Sequence, residues 1–415
     1  MRLALPKLHA FQALEHENFR RYWVAQLISL VGSWMQGTAQ AWLVLGLFTN
    51  PAEATAHLGI VSALQFAPSL VLALFAGAIL DRVSRKAVMI VTQSVLLTTA
   101  LLLATLVATG TVTFAAVAII AFTSGLANAF DMPARQAIVP SLVPRESMRN
   151  AVALNSLSFN VARIAGAALF GVLSPFLGLA PIFYLNAASF PFVIFAIART
   201  PIPRIERAGS NIVEDIRGGL SYVWRTPIVR WTILTLCWLS ITVINFNIII
   251  PSFAKTALGL GEAGYGLLSA AFGVGAVLGA IFQASSAAKG SAARLMTPGA
   301  LLLTFAVASL YLTPNAPTAA LQLMAAGAGM ILFLVAANTT VQLTVPEALR
   351  GRVMSVYTLV FAGMSPFGAL LCGGLMSRFG PRLGVLVVAA LGLLIVALYP
   401  RPRATSGSTV PQPAD

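Results

Sequence analysis

The chain has 415 residues, 58% of them hydrophobic and only 9% charged, with a formal net charge of +14. Soluble domains carry about 25% charged residues, so the composition excludes a water-soluble globular protein and points to an all-α, polytopic membrane protein. Two cysteines, Cys237 and Cys372, both inside apolar stretches, exclude a disulfide or zinc framework.

Residues 1–21 contain no apolar core of the length a cleavable leader needs, so the first apolar helix is expected to direct insertion. Twelve stretches satisfy the requirement of about 20 mostly apolar residues per crossing. They lie near 22–48, 57–80, 87–108, 112–131, 150–174, 180–198, 229–252, 264–287, 296–313, 317–340, 353–377 and 383–399. With the N-terminus inside, 22 of the 26 Lys and Arg residues fall on the inner side. Three, Lys255, Arg378 and Arg382, fall outside, and Arg163 lies within a span. The positive-inside rule therefore places both termini in the cytoplasm. It also explains the net charge as an orientation signal, with no nucleic-acid partner implied.

In chain order, span 1 carries Gln26, Ser29, Ser33, Gln36 and Gln40 at helical spacing, one polar stripe expected to face a hydrated cavity. Span 2 carries Ser62, Gln65 and Ser69 in the same way. Span 4 carries Ser124, Asn128, Asp131 and Arg135, and span 5 carries Ser156, Asn160, Arg163 and Ala167. The second half is poorer, with Thr242, Asn245 and Asn247 in span 7 and Asn338 with Thr339 in span 10. The segment 199–228 reads as a cytoplasmic linker. Within it SNIVEDIRGGLSYV aligns Ile212, Val213, Ile216, Leu220 and Val223 on one helical face, with Asn211 and Glu214 spaced as a capping box. The tail 400–415 is polar, rich in Pro and Ser, and reads as disordered.

A shift of 202 residues lays 143–173 on 345–375 without gaps, with nine of 31 positions identical, among them Gly166, Ala167 and Gly171. LGIVSA (58–63) matches YGLLSA (265–270) at a shift of 207. The predicted architecture is two parallel six-helix halves, 1–198 and 229–399, with a site between them near the midplane. Arg163 falls there, roughly 20 Å along its helix at 1.5 Å per residue. An arginine at that depth costs roughly 2.5–3.5 kcal/mol on insertion scales and has no acid at its level. It is expected to face the cavity, held by Asn160 or carbonyls, and to present a positive field to an anionic or polyphenolic ligand. The alternative is an arginine that staples span 5 to spans 1 and 4.

The turn GAILDRVSRK, with Gly77, Asp81, Arg82, Arg85 and Lys86, resembles the G-x-x-x-D-R-x-G-R-K signature of the major facilitator superfamily, with Ser84 in place of the usual glycine. Residues 18–36, 133–156 and 160–171 resemble its proton-linked exporter branch, which includes enterobactin and macrolide exporters. The resemblance implies a multi-pass protein of the bacterial inner membrane, a monomer without cofactor or metal, moving a small molecule against a proton gradient. It also implies a gate at this turn, with Asp81 against span 11 near Gly351–Val353. On charge alone, Arg82 or Arg85 is expected to pair with Asp131 near Arg135, and Asp131, the acid nearest the membrane interior, is the candidate proton carrier. Ala167 replaces the proline of the exporters' span 5 pattern, so direction rests on the wider likeness, and an uptake carrier is the alternative. A membrane-embedded enzyme is remote: His9, His16 and His57 lie at or beyond span ends without metal spacing, and no phosphate loop occurs. Asp81→Asn should slow transport and shift the balance of states inward. Alkylation of cysteines engineered at the two ends of the bundle measures this, and an unchanged pattern refutes the gate.

Overall fold

The computed structural model describes residues 9–200, 212–287 and 292–399, helical almost throughout. In chain order the helices are α1 (Glu17–Gly46), α2 (Pro51–Arg82), α3 (Arg85–Ala108), α4 (Phe114–Ile138), α5 (Met148–Leu177), α6 (Leu179–Arg199), α7 (Ile212–Arg225), α8 (Pro227–Ile241), α9 (Phe246–Ser252), α10 (Glu262–Ala287), α11 (Met296–Ser309), α12 (Ala316–Thr344), α13 (Glu347–Gly363) and α14 (Ser365–Leu398). Local chemistry sets several of these ends. Ser84 accepts from the backbone N–H of Ala87, Thr113 from Ala116 and Asn315 from Thr318, each side chain satisfying a free donor of the first turn.

Among the described residues, ten helical stretches are long and apolar enough to cross a membrane. α1 is 30 residues long but is diluted by its polar stripe and falls outside that set. The stretch Leu349–Leu398 runs 50 residues, too long for one crossing of a core about 30 Å thick. It reverses at Gly380, whose φ of 77° only glycine adopts readily, so that Gly384 packs back on Met376. α5 and α6 join at Gly178 with φ of 75°, 202 residues earlier.

The seams between the halves are built on backbone. A Cβ at Gly171 in α5 would lie 2.9 Å from Gly266 Cα in α10, and one at Gly373 in α14 would lie 2.9 Å from Gly59 Cα in α2. These four glycines are the ones the sequence repeats align: 171 with 373, 59 with 266. Gly166 and Gly368, also repeat mates, seat their helices against α1 and against the α8–α9 junction. Small residues permit such approach between helices that gain little from the hydrophobic effect in lipid. Both seams lie at the arginine-poor end. Ser33, Ser156 and Gln342, nearer the opposite end, are exposed.

The linker helix forms as α7, docked on α13 where Gly219 meets the Arg352 carbonyl, with Val223 buried and Leu220 44% exposed. Its expected cap Asn211 and the tail 400–415 lie outside the described residues. Gly266→Val should lower the thermal unfolding midpoint, at a cost of about 1–3 kcal/mol for overpacking. Gly374→Ala, whose added methyl meets nothing within 4 Å, should not. Thermal unfolding in detergent compares the two.

Candidate functional site

Arg163 sits where the α5–α10 seam ends. One turn toward the seam, Ala167 presents its carbonyl to Gly266, and beside it Ile164 fills the space over Gly273. One turn away, Asn160 Oδ1 accepts from Arg163 Nη2 at 3.2 Å, and Asn160 itself donates to the Ser156 carbonyl. The guanidinium lies 5.7 Å from the ring of Phe272 in α10, close enough for a cation–π contact across the two halves. Phe272 in turn packs on Phe246 with centroids 4.1 Å apart. Among the described residues no carboxylate pairs with Arg163, and its buried Nε has no hydrogen-bond partner. The arginine is therefore braced by an amide and a ring, neither of which cancels its charge.

The α1 stripe divides. Gln26 and Ser29 are buried, with Gln26 Oε1 and Ser29 Oγ unpartnered, and Gln40 is buried. Ser33 is exposed. Gln36 accepts from Asn186 Nδ2 of α6 at 2.7 Å, a contact that Gly32 permits, since a Cβ there would lie 2.6 Å from Asn186 Oδ1. Much of the stripe thus serves packing inside the first half, because helical spacing tells which residues share a face and not what faces them. Asn186 was not singled out in the sequence. A lone amide in an apolar span was the available signal.

Asn245, expected to line the cavity, is buried, and its amide nitrogen donates to the carbonyls of Ser240, Ile241 and Thr242. It closes the break between α8 and α9, where orphaned carbonyls would otherwise stand in lipid. Asn338 is half-buried and accepts from Gln342 at 2.7 Å, and Asn128, also half-buried, donates to the Ser124 carbonyl.

Asp131 is 1% exposed, and both of its oxygens are engaged. Oδ1 accepts from Thr92 Oγ1 and Gln93 Nε2, each at 2.8 Å, and Oδ2 forms an ion pair with Arg135, one turn along the same helix. The expected pairing was with Arg82 or Arg85. Arg85 donates to the Ala137 carbonyl at 3.3 Å, and Lys86 ties the start of α3 to the end of α6 through the carbonyls of Ala198 and Thr200. α2 continues through Arg82, but the side chains of Gly77, Asp81 and Arg82 lie outside the described residues. Gly351 has nothing within 4 Å of an added Cβ.

With Arg163 placed beside Phe272 at the α5–α10 contact, comparison with known proteins settles the family. The profile of the transmembrane secretion effectors matches residues 8–404. The chain belongs to this family of major facilitator superfamily transporters. It is similar to the multidrug efflux pump Tap of Mycolicibacterium fortuitum, 26% identical over 91% of this chain and 95% of that one. It is 23% identical to the enterobactin exporter EntS of Shigella boydii serotype 18, over 94% of each chain. The fold is similar to that of the nucleoside transporter NupG, with a TM-score of 0.73 at 12% identity, covering 92% of this chain and 99% of that one. The transporter is thus a multi-pass membrane protein and not an enzyme. Asp131→Asn should destabilise it by about 3–5 kcal/mol, because Arg135 would be left buried without its partner. Asp131→Asn with Arg135→Gln should recover much of that loss, and thermal melts of the single and double variants test it.

Proposed function

We propose that the transporter is a secondary active exporter of small amphipathic or anionic molecules, such as a siderophore or drug, working by alternating access. In this reading it has twelve crossings, with α1 as the first and the stretch Leu349–Leu398 supplying the last two. Six-helix halves at 1–198 and 229–399, related by an axis along the membrane normal, rock against each other about the level of Arg163. The protein is a monomer of the bacterial inner membrane with both termini in the cytoplasm. Seams closed at the arginine-poor end and polar residues exposed at the other correspond to an inward-facing state.

The observation that carries the reading is Arg163 itself: a guanidinium at the junction of the halves, held by Asn160 and Phe272 and not neutralised. Ligand donors there would complete the solvation that lipid denies it. Exposed Ser33 and half-buried Asn160, Asn128 and Asn338 are the polar groups assigned to the substrate path, whereas Gln36, bonded to Asn186, buried Gln40 and buried Asn245 support its walls. The likeness to efflux pumps and to an enterobactin exporter favours the outward direction, and proton-linked drive follows the same likeness. A proton on Asp131 Oδ2 would have to displace the Arg135 ion pair while Oδ1 keeps Thr92 and Gln93, so its contacts support an anchor within the first half more than a shuttle.

Arg163→Ala should abolish transport of an anionic substrate while leaving the protein inserted, and Arg163→Lys, a point charge without the planar fork, should restore it only in part. Transport in inverted membrane vesicles, with the pH gradient imposed or collapsed, measures both this and the direction. Full activity of Arg163→Ala, or accumulation only in right-side-out vesicles, overturns the reading.

A further inference from the structure

The two seams share their glycines but not their locks. Beside the Gly171–Gly266 contact, Trp42 near the end of α1 is plugged into the opposite half. Its indole N–H donates to Glu262 Oε1 at 3.0 Å. Tyr265 stacks on one side, with centroids 5.6 Å apart and planes inclined by 17°, and Lys255 Nζ lies 5.1 Å from the ring centroid. Phe170 of α5 closes on the edge of Tyr265 at 5.7 Å, and Trp42 itself is 8% exposed. One large side chain from the first half is thus gripped by three from the second, through a charge-assisted hydrogen bond, a ring stack and a cation.

At the other seam the repeat places Thr55 where this one has Glu262, Leu58 where it has Tyr265, and Cys372 where it has Phe170. The Thr55 hydroxyl donates to the Pro51 carbonyl of its own helix, and Cys372 contacts Met376 within α14. Neither of these polar bonds crosses between the halves.

We infer that Trp42 is a bolt and that Lys255, Glu262 and Tyr265 form its socket. The pair holds the arginine-poor end shut and must disengage before that end opens, while at the α2–α14 seam the bonds of Thr55 and Cys372 stay within their own helices. The transport cycle then has one fastened seam and one plain seam. A bolt across the halves has a purpose only if they move apart there, so the inference rests on the alternating-access reading, but not on the substrate or the direction of transport.

The test is a distance and needs no substrate. Spin labels on cysteines at Thr111 and Pro314, exposed positions at the arginine-poor end of the two halves, are placed in a background with Cys237 and Cys372 replaced by alanine. Pulsed electron resonance then reads the closed and open populations. Glu262→Gln should raise the open population by on the order of tenfold, the shift expected from weakening a hydrogen bond to a charged group. Trp42→Ala should raise it further, and Thr55→Val should leave it unchanged. A wild-type distribution in Glu262→Gln overturns the bolt even if Trp42→Ala fails to fold, and an equal shift in Thr55→Val overturns the asymmetry. Loss of vesicle transport with the distance shift intact would count against the export reading alone.

Discussion

Helices that meet glycine to glycine approach until their backbones touch, and in this chain that approach sets the distance between the halves. Gly171 against Gly266 and Gly373 against Gly59 leave no room for a methyl group at either seam. Everything described around the crevice is measured from those points. Arg163 lies two turns from Gly171 on the same helix, so the seam fixes how near its guanidinium comes to Phe272. Lipid offers helices little hydrophobic reason to associate, so tight van der Waals contact has to supply the specificity. Beyond the glycine contacts side chains replace backbone, as where Arg163 meets Phe272.

Polarity inside the halves is handled in two ways. Several polar groups have their bonds closed locally: Asn245 takes three carbonyls at the α8–α9 break, Asn186 takes Gln36, and Asp131 takes Thr92, Gln93 and Arg135. Arg163 is bonded once and left charged. Buried polar groups are costly unless satisfied, and that cost is why the proposed export reading rests on Arg163.

Much of this was legible in the sequence, and the reason is the repeat. A shift of 202 residues predicts that Gly171 and Gly373 occupy like surroundings, and each does meet a glycine of the other half; the same shift links the turns at Gly178 and Gly380. Asn160 as the partner of Arg163 followed from spacing of three on one helix. Phe272, Trp42 and Asn186 were not legible, because contacts between helices far apart in sequence leave no period to read. The α1 stripe shows the same limit: Gln26, Gln36 and Ser33 share a helical face, yet one is buried, one bonds α6 and one is open. Asp131 pairs with Arg135, one turn away on its own helix, a partner that spacing of four on one helix already offered.

The brace on Arg163 also has an order in time. Asn160 is translated just before the arginine, but Phe272 follows roughly a hundred residues later, about 5–20 s at ordinary ribosomal speeds. Span 5 must therefore leave the translocon with its guanidinium supported by one neighbouring amide, carried into lipid by the Ala, Gly, Phe and Leu residues that follow it. The aromatic half of the brace arrives with a helix yet to be made, so the contact between Arg163 and Phe272 forms only once α10 has packed against α5.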